Sequence, residues 1–559
     1  MIDQKVFTYN TLKTPFFILL LFAFNSGYAQ LLHHNHQHFT EQDTLRGSIT
    51  PERAWWDLKY YHLDIEVVPN EKFIKGSNTI EYTVIKEHQV IQVDLQEPLK
   101  ITKVTQENDE LKFERNGNAF FIDLKKKQKV GDYNSIKVFY EGHPKEAVKA
   151  PWDGGFTWSK DENGNDFIAT SCQGLGASVW WPLKDHMYDE VDSMKISVEV
   201  PQHLMDVSNG RLIKVEKNRK KKTKTFHWYV DNPINNYGVN VNIGDYAHFD
   251  DSYDGEKGEL TLDYYVLKPN VEKAKVQFQQ TKKMLEAFEH WFGPYPFYED
   301  GFKLVEVPYL GMEHQSSVTY GNKFQNGYLG RDLSQTGWGL KFDFIIVHEA
   351  GHEWFANNIT DKDIADMWIH ESFTAYSESL FLDYFYGKEA GQEYVRGTRS
   401  NIQNDIPVIG IYYVNSEGSG DMYYKGSNML NMIRQIVNND TLWLEMLRGM
   451  NKTFYHKTVD TKEIEGYMIE KLGKNLSPIF DQYLRSTIIP TFEFRTNAEY
   501  VFYRFTNCNP KFEMELDIEI NGKHQRITSK NGWQTLRADE EIKSLEVNDN
   551  YYISVMEIK

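Results

Sequence analysis

From Trp55 to Phe249 apolar and polar residues alternate in short runs. Tyr60–Val67 reads Tyr-Tyr-His-Leu-Asp-Ile-Glu-Val, and comparable runs lie near Ile91–Leu95, Lys195–Val200 and Thr225–Val230. A period of two places every second side chain on one face, so these segments read as half-buried strands. Glycine, asparagine and aspartate punctuate them at hairpin spacing, and no internal repeat is visible. Two lysine-rich runs, Lys125–Lys129 and Arg219–Lys224, fall between strand-like segments and read as solvated hairpin tips. After Tyr265 the period lengthens. Lys273–Phe292 carries Phe278, Met284, Leu285, Phe288 and Trp291 on one side and ends at Gly293-Pro294, which predicts a helix. A mostly helical pattern continues to about Ser486. Pro490–Lys559 returns to short strands with turns at Asn521-Gly522 and Asn531-Gly532. The expected organisation is multi-domain α+β: an antiparallel β domain over residues 30–249, a helix-rich unit over 250–488 and a small β-sandwich over 489–559.

Composition sharpens this picture at two points. A net charge of -18 excludes a nucleic-acid partner, which would require a concentrated basic surface. Only Cys172 and Cys508 are present, far apart in sequence, so a disulfide is not expected. At the N-terminus Lys5 and Lys13 precede an apolar run from Pro15 to Phe24, and Gly27 and Ala29 suit cleavage after Ala29. The run is about half the ~20 residues a bilayer span requires, so residues 1–29 read as a signal peptide. The mature chain is expected to be exported, periplasmic or secreted, with no transmembrane segment. His33, His34, His36 and His38 follow closely; near a terminus such a tract reads as dispensable.

The chemistry concentrates in His348-Glu349-Ala350-Gly351-His352, inside Phe342–Asn357, a stretch with helical periodicity and no proline. Histidines four apart share a helix face and can grip one ion. A catalytic zinc usually takes three protein ligands and one water, and Glu349, beside the first histidine, can act on that water as general base. Eighteen residues separate His352 from Glu371, an interval that accommodates a turn over Asn358–Ile364 between antiparallel helices. Glu371 therefore qualifies as third ligand to one Zn2+ per chain. Glu378, seven residues further on the same face, could orient a ligand histidine.

HEAGHEWFANNIT followed by DMWIHESFTAYSE resembles the gluzincin aminopeptidases of peptidase family M1, the group of alanyl aminopeptidases and leukotriene hydrolase. Val207–Gly210, Pro233-Ile234 with Tyr237, Gly244–Tyr246 and Trp291–Pro296 extend the resemblance over most of Tyr60 to Leu430. It implies a thermolysin-like catalytic domain with His348, His352 and Glu371 on zinc. Leu310-Gly311-Met312-Glu313-His314 is similar to the family's GxMEN element, whose glutamate binds the substrate's α-ammonium. That role carries over to Glu313, and Gly311 and Met312 carry the edge strand that pairs with the substrate backbone. Leu310 and His314 depart from the pattern. Gln173 lies where relatives place a second amine contact. Tyr423-Tyr424-Lys425-Gly426 resembles YxKG, whose first tyrosine donates to the oxyanion, so Tyr423 takes that role, with Tyr424 as the register-shifted alternative.

The resemblance implies a zinc aminopeptidase acting on peptides with a free N-terminus. Two other readings stay open: a glycyl-aminopeptidase-like enzyme or endopeptidase on the same scaffold, and a catalytically silent interaction protein. Family members commonly continue into a long helical C-terminal domain, whereas this sequence ends about 130 residues after Tyr423, so a short form with a more open cleft is expected. Oligomerisation is left open.

Overall fold

The computed structural model describes residues 38–559; the leader-like segment and His33, His34 and His36 lie outside the described residues. No helix among the described residues is long and apolar enough to cross a membrane. An eight-stranded sheet dominates the N-terminal part. Its central strand Trp56–Val68 pairs antiparallel with Phe73–Val84 and parallel with Ser193–Pro201. This one parallel pairing departs from the expected antiparallel order, and parallel neighbours need a long crossover. Here the crossover carries Gly155–Lys160 and Asp166–Ser171, two strands of a second sheet that Met205–Val207 and Asn242–Gly244 complete. Along the central strand Tyr61, Leu63, Ile65 and Val67 are buried while their alternates face out, as the two-residue period requires. A bulge between Leu58 and Tyr60 resets the phase, so that Leu58 is buried too.

A five-stranded mixed sheet follows, in the order Tyr246–Gly255, Gly258–Leu267, Phe302–Glu306, Val318–Tyr320, Gly311–Met312. The last strand is an edge. Met312, with Val305, Val307 and Tyr309, packs into the core of the N-terminal β domain, which fixes that edge against a large body. Helices cover the other side: Gln280–Phe292, Phe344–Gly351, Trp368–Tyr386 and Tyr424–Val437. Residues 491–557 form two small sheets of four and three strands. Their Phe492, Phe505 and Leu516 belong to the same core as the helices. Arg526 of this C-terminal module donates to the carbonyls of Gln435 (2.8 Å) and Ile436 (3.1 Å), the last turn of helix Tyr424–Val437. Asp517 holds the same guanidinium through two bonds of 2.8 Å.

Three expectations need correction. Lys125, Lys126 and Lys127 lie inside strand Ala119–Gln128 rather than at a tip; the register slips opposite them, between His88 and Val90, and all three are exposed. Arg219–Lys222 does form a hairpin turn. The helix expected over Lys273–Phe292 breaks at Phe278, giving Val271–Gln277 and Gln280–Phe292. Phe278 is buried against the rings of Tyr264 and Tyr320, and the break lets Gln277 and Gln280 both bond Asp343. Finally, the stretch after His352 is no simple turn. A π-type turn, Glu353–Asn357, leads into strand Ile359–Asp361, which pairs in parallel with Lys457–Val459. The Asn521-Gly522 turn joins Glu513–Ile520 to Lys523–Lys530 with both residues at positive φ (51° and 75°), the two-residue hairpin geometry. Cys172 and Cys508 are free thiols.

Candidate active site

Asp343 starts the helix that matters most. Its carboxylate accepts from the amides of Ile345 and Ile346 and from the side chains of Gln277, Tyr320 and Asn322. A buried N-cap tied to three other elements fixes the position of Phe344–Gly351, and with it His348 and Glu349. At the other end, Phe355 (ψ 87°) and Ala356 (φ 147°) leave helical geometry, which turns the Phe355 carbonyl back toward His352.

These devices set both imidazoles the same way. His348 Nδ1 donates to Glu378 Oε1 at 2.7 Å, and the Tyr394 hydroxyl holds the other oxygen of Glu378. His352 Nδ1 donates to the Phe355 carbonyl at 3.0 Å, with Thr374 Oγ1 at 3.1 Å. With Nδ1 as donor, each ring keeps its Nε2 lone pair free. Both lone pairs face Glu371 Oε2, at 3.8 Å from His348 and 3.4 Å from His352. That oxygen is buried and has no hydrogen-bond partner, while its sister Oε1 accepts from Gln173 at 3.1 Å.

The three ligand atoms lie within 4.8 Å of one another. A buried carboxylate oxygen without a donor is costly, and two neutral imidazole nitrogens offer it none. A cation shared by all three resolves the deficit, and two imidazoles with one carboxylate form a donor set that suits zinc. The residues fit the ion.

Glu349 lines the same cleft, and burial pushes its carboxyl up to about 7. Tyr423 stacks over His348 with centroids 6.0 Å apart, and its hydroxyl lies toward Glu371, Glu313 and Glu349. Tyr424 looks instead toward Glu378 and Tyr328. Glu313 closes the far end of the edge strand, only 2% exposed, and accepts from Gln173 Nε2 at 2.6 Å. Thus one amide group links Glu313 to Glu371. Burial raises the Glu313 carboxyl. His314, which departs from the family pattern, is fully buried with both ring nitrogens unpartnered, and burial pushes it down to about 3.

Sequence reasoning missed several residues. Pro151 and Trp152 bring a loop of the β domain to the cleft wall; the only signal was an aromatic after proline in a turn-rich stretch. Glu353 accepts the Ser316 amide at 2.8 Å and Asn357 donates to the Glu313 carbonyl at 2.8 Å, so the helix motif itself holds the loop that carries Glu313. Neither contact is visible without coordinates.

The Peptidase family M1 domain matches residues 276–483, and the Peptidase M1 N-terminal domain matches residues 58–237. Leucyl aminopeptidase of Saccharolobus solfataricus is 22% identical over 481 residues, 81% of this chain and 58% of that protein. Leukotriene A-4 hydrolase of Xenopus laevis is 22% identical over 347 residues, 58% of this chain and 53% of that protein. The chain spans between half and three-fifths of the length of the leucyl aminopeptidase and of three probable aminopeptidases of Saccharolobus and Sulfurisphaera that it matches. In fold it is similar to an M1 zinc metallopeptidase from Deinococcus radiodurans, with a TM-score of 0.66 at 19% identity over 78% of this chain and 94% of that one. A mutant of that enzyme has been solved bound to a Tyr-Ser-Ala substrate, with a TM-score of 0.65 at 18% identity over 78% and 95% of the two chains.

Proposed function

Because the chain belongs to peptidase family M1, we propose that it is a zinc aminopeptidase that removes the first residue from peptides with a free N-terminus. The observation that carries the hydrolytic half is the convergence of two Nε2 atoms on the donorless Oε2 of Glu371. Zinc held by His348, His352 and Glu371 would polarise the scissile carbonyl and lower the pKa of water from ~15.7 to ~7.

The chain's own groups do the rest. Glu349 removes a proton from the attacking water and delivers it to the departing nitrogen; a carboxyl raised toward neutrality suits both directions of transfer. The Tyr423 hydroxyl donates to the oxygen that gains charge in the tetrahedral intermediate. Tyr423 is favoured over Tyr424 because its hydroxyl lies toward Glu371 and Glu349. Gly311 and Met312 form a sheet edge paired on one side only, with Val318–Tyr320, which suits backbone pairing with an extended peptide. Just beyond that edge, Glu313 is a buried carboxylate whose hydrogen-bond partner is the neutral amide of Gln173. An arriving α-ammonium supplies the missing positive charge, with Gln173 as its second contact. A longer peptide running past this point would have to bury an uncharged amide against Glu313, so the arrangement favours exo- over endopeptidase action.

Paired peptides, free and N-acetylated, test the reading. The zinc-loaded protein should cleave the free form and leave the acetylated one, and a chelator should abolish cleavage. Equal cleavage of both would overturn the aminopeptidase assignment and favour an endopeptidase. The leader-like segment Lys5–Ala29 supports export to the periplasm or medium; mass analysis of the mature chain should find it starting at Gln30.

A further inference from the structure

The turn that carries Gln173 is gripped by a segment far away in sequence. Strand Asp166–Ser171 ends in this turn, which the Gly176 amide closes by donating to the Cys172 carbonyl at 2.7 Å. Gln173 Nε2 reaches Glu313 and Glu371 at once, so its backbone has to be held in place. Two neighbouring carbonyls supply the handles. The Leu175 carbonyl accepts from Gln96 Nε2 at 2.7 Å. The Gly174 carbonyl accepts from Arg46 Nη2 and from Asn415 Nδ2, each at 3.4 Å. These last two donors come from different parts of the molecule: Arg46 precedes the first strand, and Asn415 belongs to the catalytic domain.

Arg46 lies in the last turn of helix Glu41–Gly47, a short element with unusually firm supports. Thr40 and Asp43 cap its start reciprocally. Its end leaves carbonyls without helical partners, and the buried Arg53 takes them up. Arg53 donates to the carbonyls of Leu45 (2.8 Å), Arg46 (2.9 Å) and Ser48 (2.8 Å), and to the Asp94 carboxylate (2.6 Å). Gln42 accepts the Asn118 amide at 2.9 Å and donates to the Asn116 carbonyl at 3.2 Å, which ties the helix to the β domain. On the opposite side Gly47 lies on the backbone of Val414-Asn415, so closely that a Cβ there would overlap both. The Arg46 guanidinium rests on the turn itself, where a Cβ on Gly176 would strike its Nη2. Asp185, 4.0 Å away, helps keep it there.

We infer that the segment Thr40–Ser48 is a strap joining the β domain, the Gln173 turn and the catalytic domain, with Arg46 as a positioning residue for recognition of the substrate's amine. The inference rests on the aminopeptidase reading and deepens it. Without the guanidinium, Gln96 and Asn415 still hold the turn, so Gln173 is loosened rather than lost. Gln173 bonds Oε1 of Glu371, whereas Oε2 faces the imidazoles, so the metal-binding set stays in place. Glu349 and Tyr423 sit on other elements. The effect therefore falls on binding of the amine and not on the chemical step.

Steady-state kinetics on a free-amine peptide, with zinc content and Tm measured on the same samples, test the inference. Arg46→Met keeps the aliphatic stem and should raise KM by about fivefold, what one net hydrogen bond is typically worth. Its kcat should hardly move and zinc should stay bound. Arg46→Lys can still donate and should recover part of the rise. Asn415→Gly removes the other donor without backbone strain, since Asn415 sits at φ 48°, and should raise KM in the same sense. Gln42→Ala cuts the strap from Asn118 without touching the turn; it should lower Tm and leave KM alone. An unchanged KM in both Arg46→Met and Asn415→Gly, or a rise in Gln42→Ala as large as in Arg46→Met, overturns the inference. Cleavage by the unaltered zinc-loaded chain shows that such a failure concerns the strap alone, whereas no cleavage of any free-amine peptide overturns the aminopeptidase reading with it.

Discussion

Gly426 gives a prediction that depends on distance alone. The helix Tyr424–Val437 crosses Trp368–Tyr386 so closely that a Cβ on Gly426 would stand 1.8 Å from Ser372 Oγ and 2.5 Å from Ser372 Cβ. The hydroxyl cannot swing clear without cost, because it donates to the Met422 carbonyl at 2.6 Å. Carbon atoms rest at about 3.5–4.0 Å, so Gly426→Ala must part the helices by about 1 Å. Glu371 lies one residue before Ser372 and Tyr423 three before Gly426, so the parting separates the proposed metal ligand from the proposed oxyanion donor. Overpacking of this kind costs about 1–3 kcal/mol of stability, and a 1 Å misplacement at a reacting centre costs about 10²-fold in rate. The assay is kcat and KM on a free-amine peptide, with zinc content and Tm measured on the same sample. We expect kcat to fall about a hundredfold and zinc to stay bound. KM should hardly move, because Glu313 and the edge strand belong to other elements. Ser372→Gly in the same background removes both clashing atoms and should restore most of kcat, though its Tm stays low because glycine inside a helix costs ~1 kcal/mol. Wild-type kcat in Gly426→Ala, or a loss that Ser372→Gly does not relieve, would refute the reasoning.

Three further outcomes follow from the site and its supports. Tyr423→Phe should lower kcat by about 10²–10³ with zinc retained, as removal of one oxyanion donor does, while Tyr424→Phe should do far less; steady-state kinetics on both variants separates them. Glu371→Ala should lose zinc on dialysis, seen by metal analysis, whereas Glu349→Gln should keep zinc and lose about 10²–10⁴ in kcat. The Asp517 carboxyl lies below its ordinary value, since the Arg526 guanidinium outweighs partial burial. A lowered carboxyl contributes stability above its unfolded value and loses it as pH falls through the folded one. The Tm gap between wild type and Asp517→Asn should therefore be full at pH 7 and close below about pH 3–4, where a constant gap would contradict the assignment.

Much of this was legible in the chain itself. Two-residue alternation marks Trp56–Val68 and its neighbours because one face is buried and the other wet. His348 and His352 are legible as a pair because residues four apart share a helix face, whereas Glu371 comes beside them only after a π-type turn and the strand Ile359–Asp361, which follow no single helix period. What stayed hidden were contacts between segments far apart in sequence. Glu353 holding Ser316, Asn357 holding Glu313, and Trp152 reaching the cleft leave no local period. The break at Phe278 was hidden for the same reason: the helical pattern runs on, and only the rings of Tyr264 and Tyr320 and the reach to Asp343 interrupt it. Asp361 read as part of a turn, although it belongs to a strand paired with Lys457–Val459.

The grip of Arg526 on Gln435 and Ile436 makes the C-terminal module an anchor. Fourteen residues of helix, on the order of 20 Å, separate that anchorage from Tyr423 at the other end, where Gly426 lies against Ser372. The helix is thus clamped at both tips, and the outer strands share in holding Tyr423 beside His348.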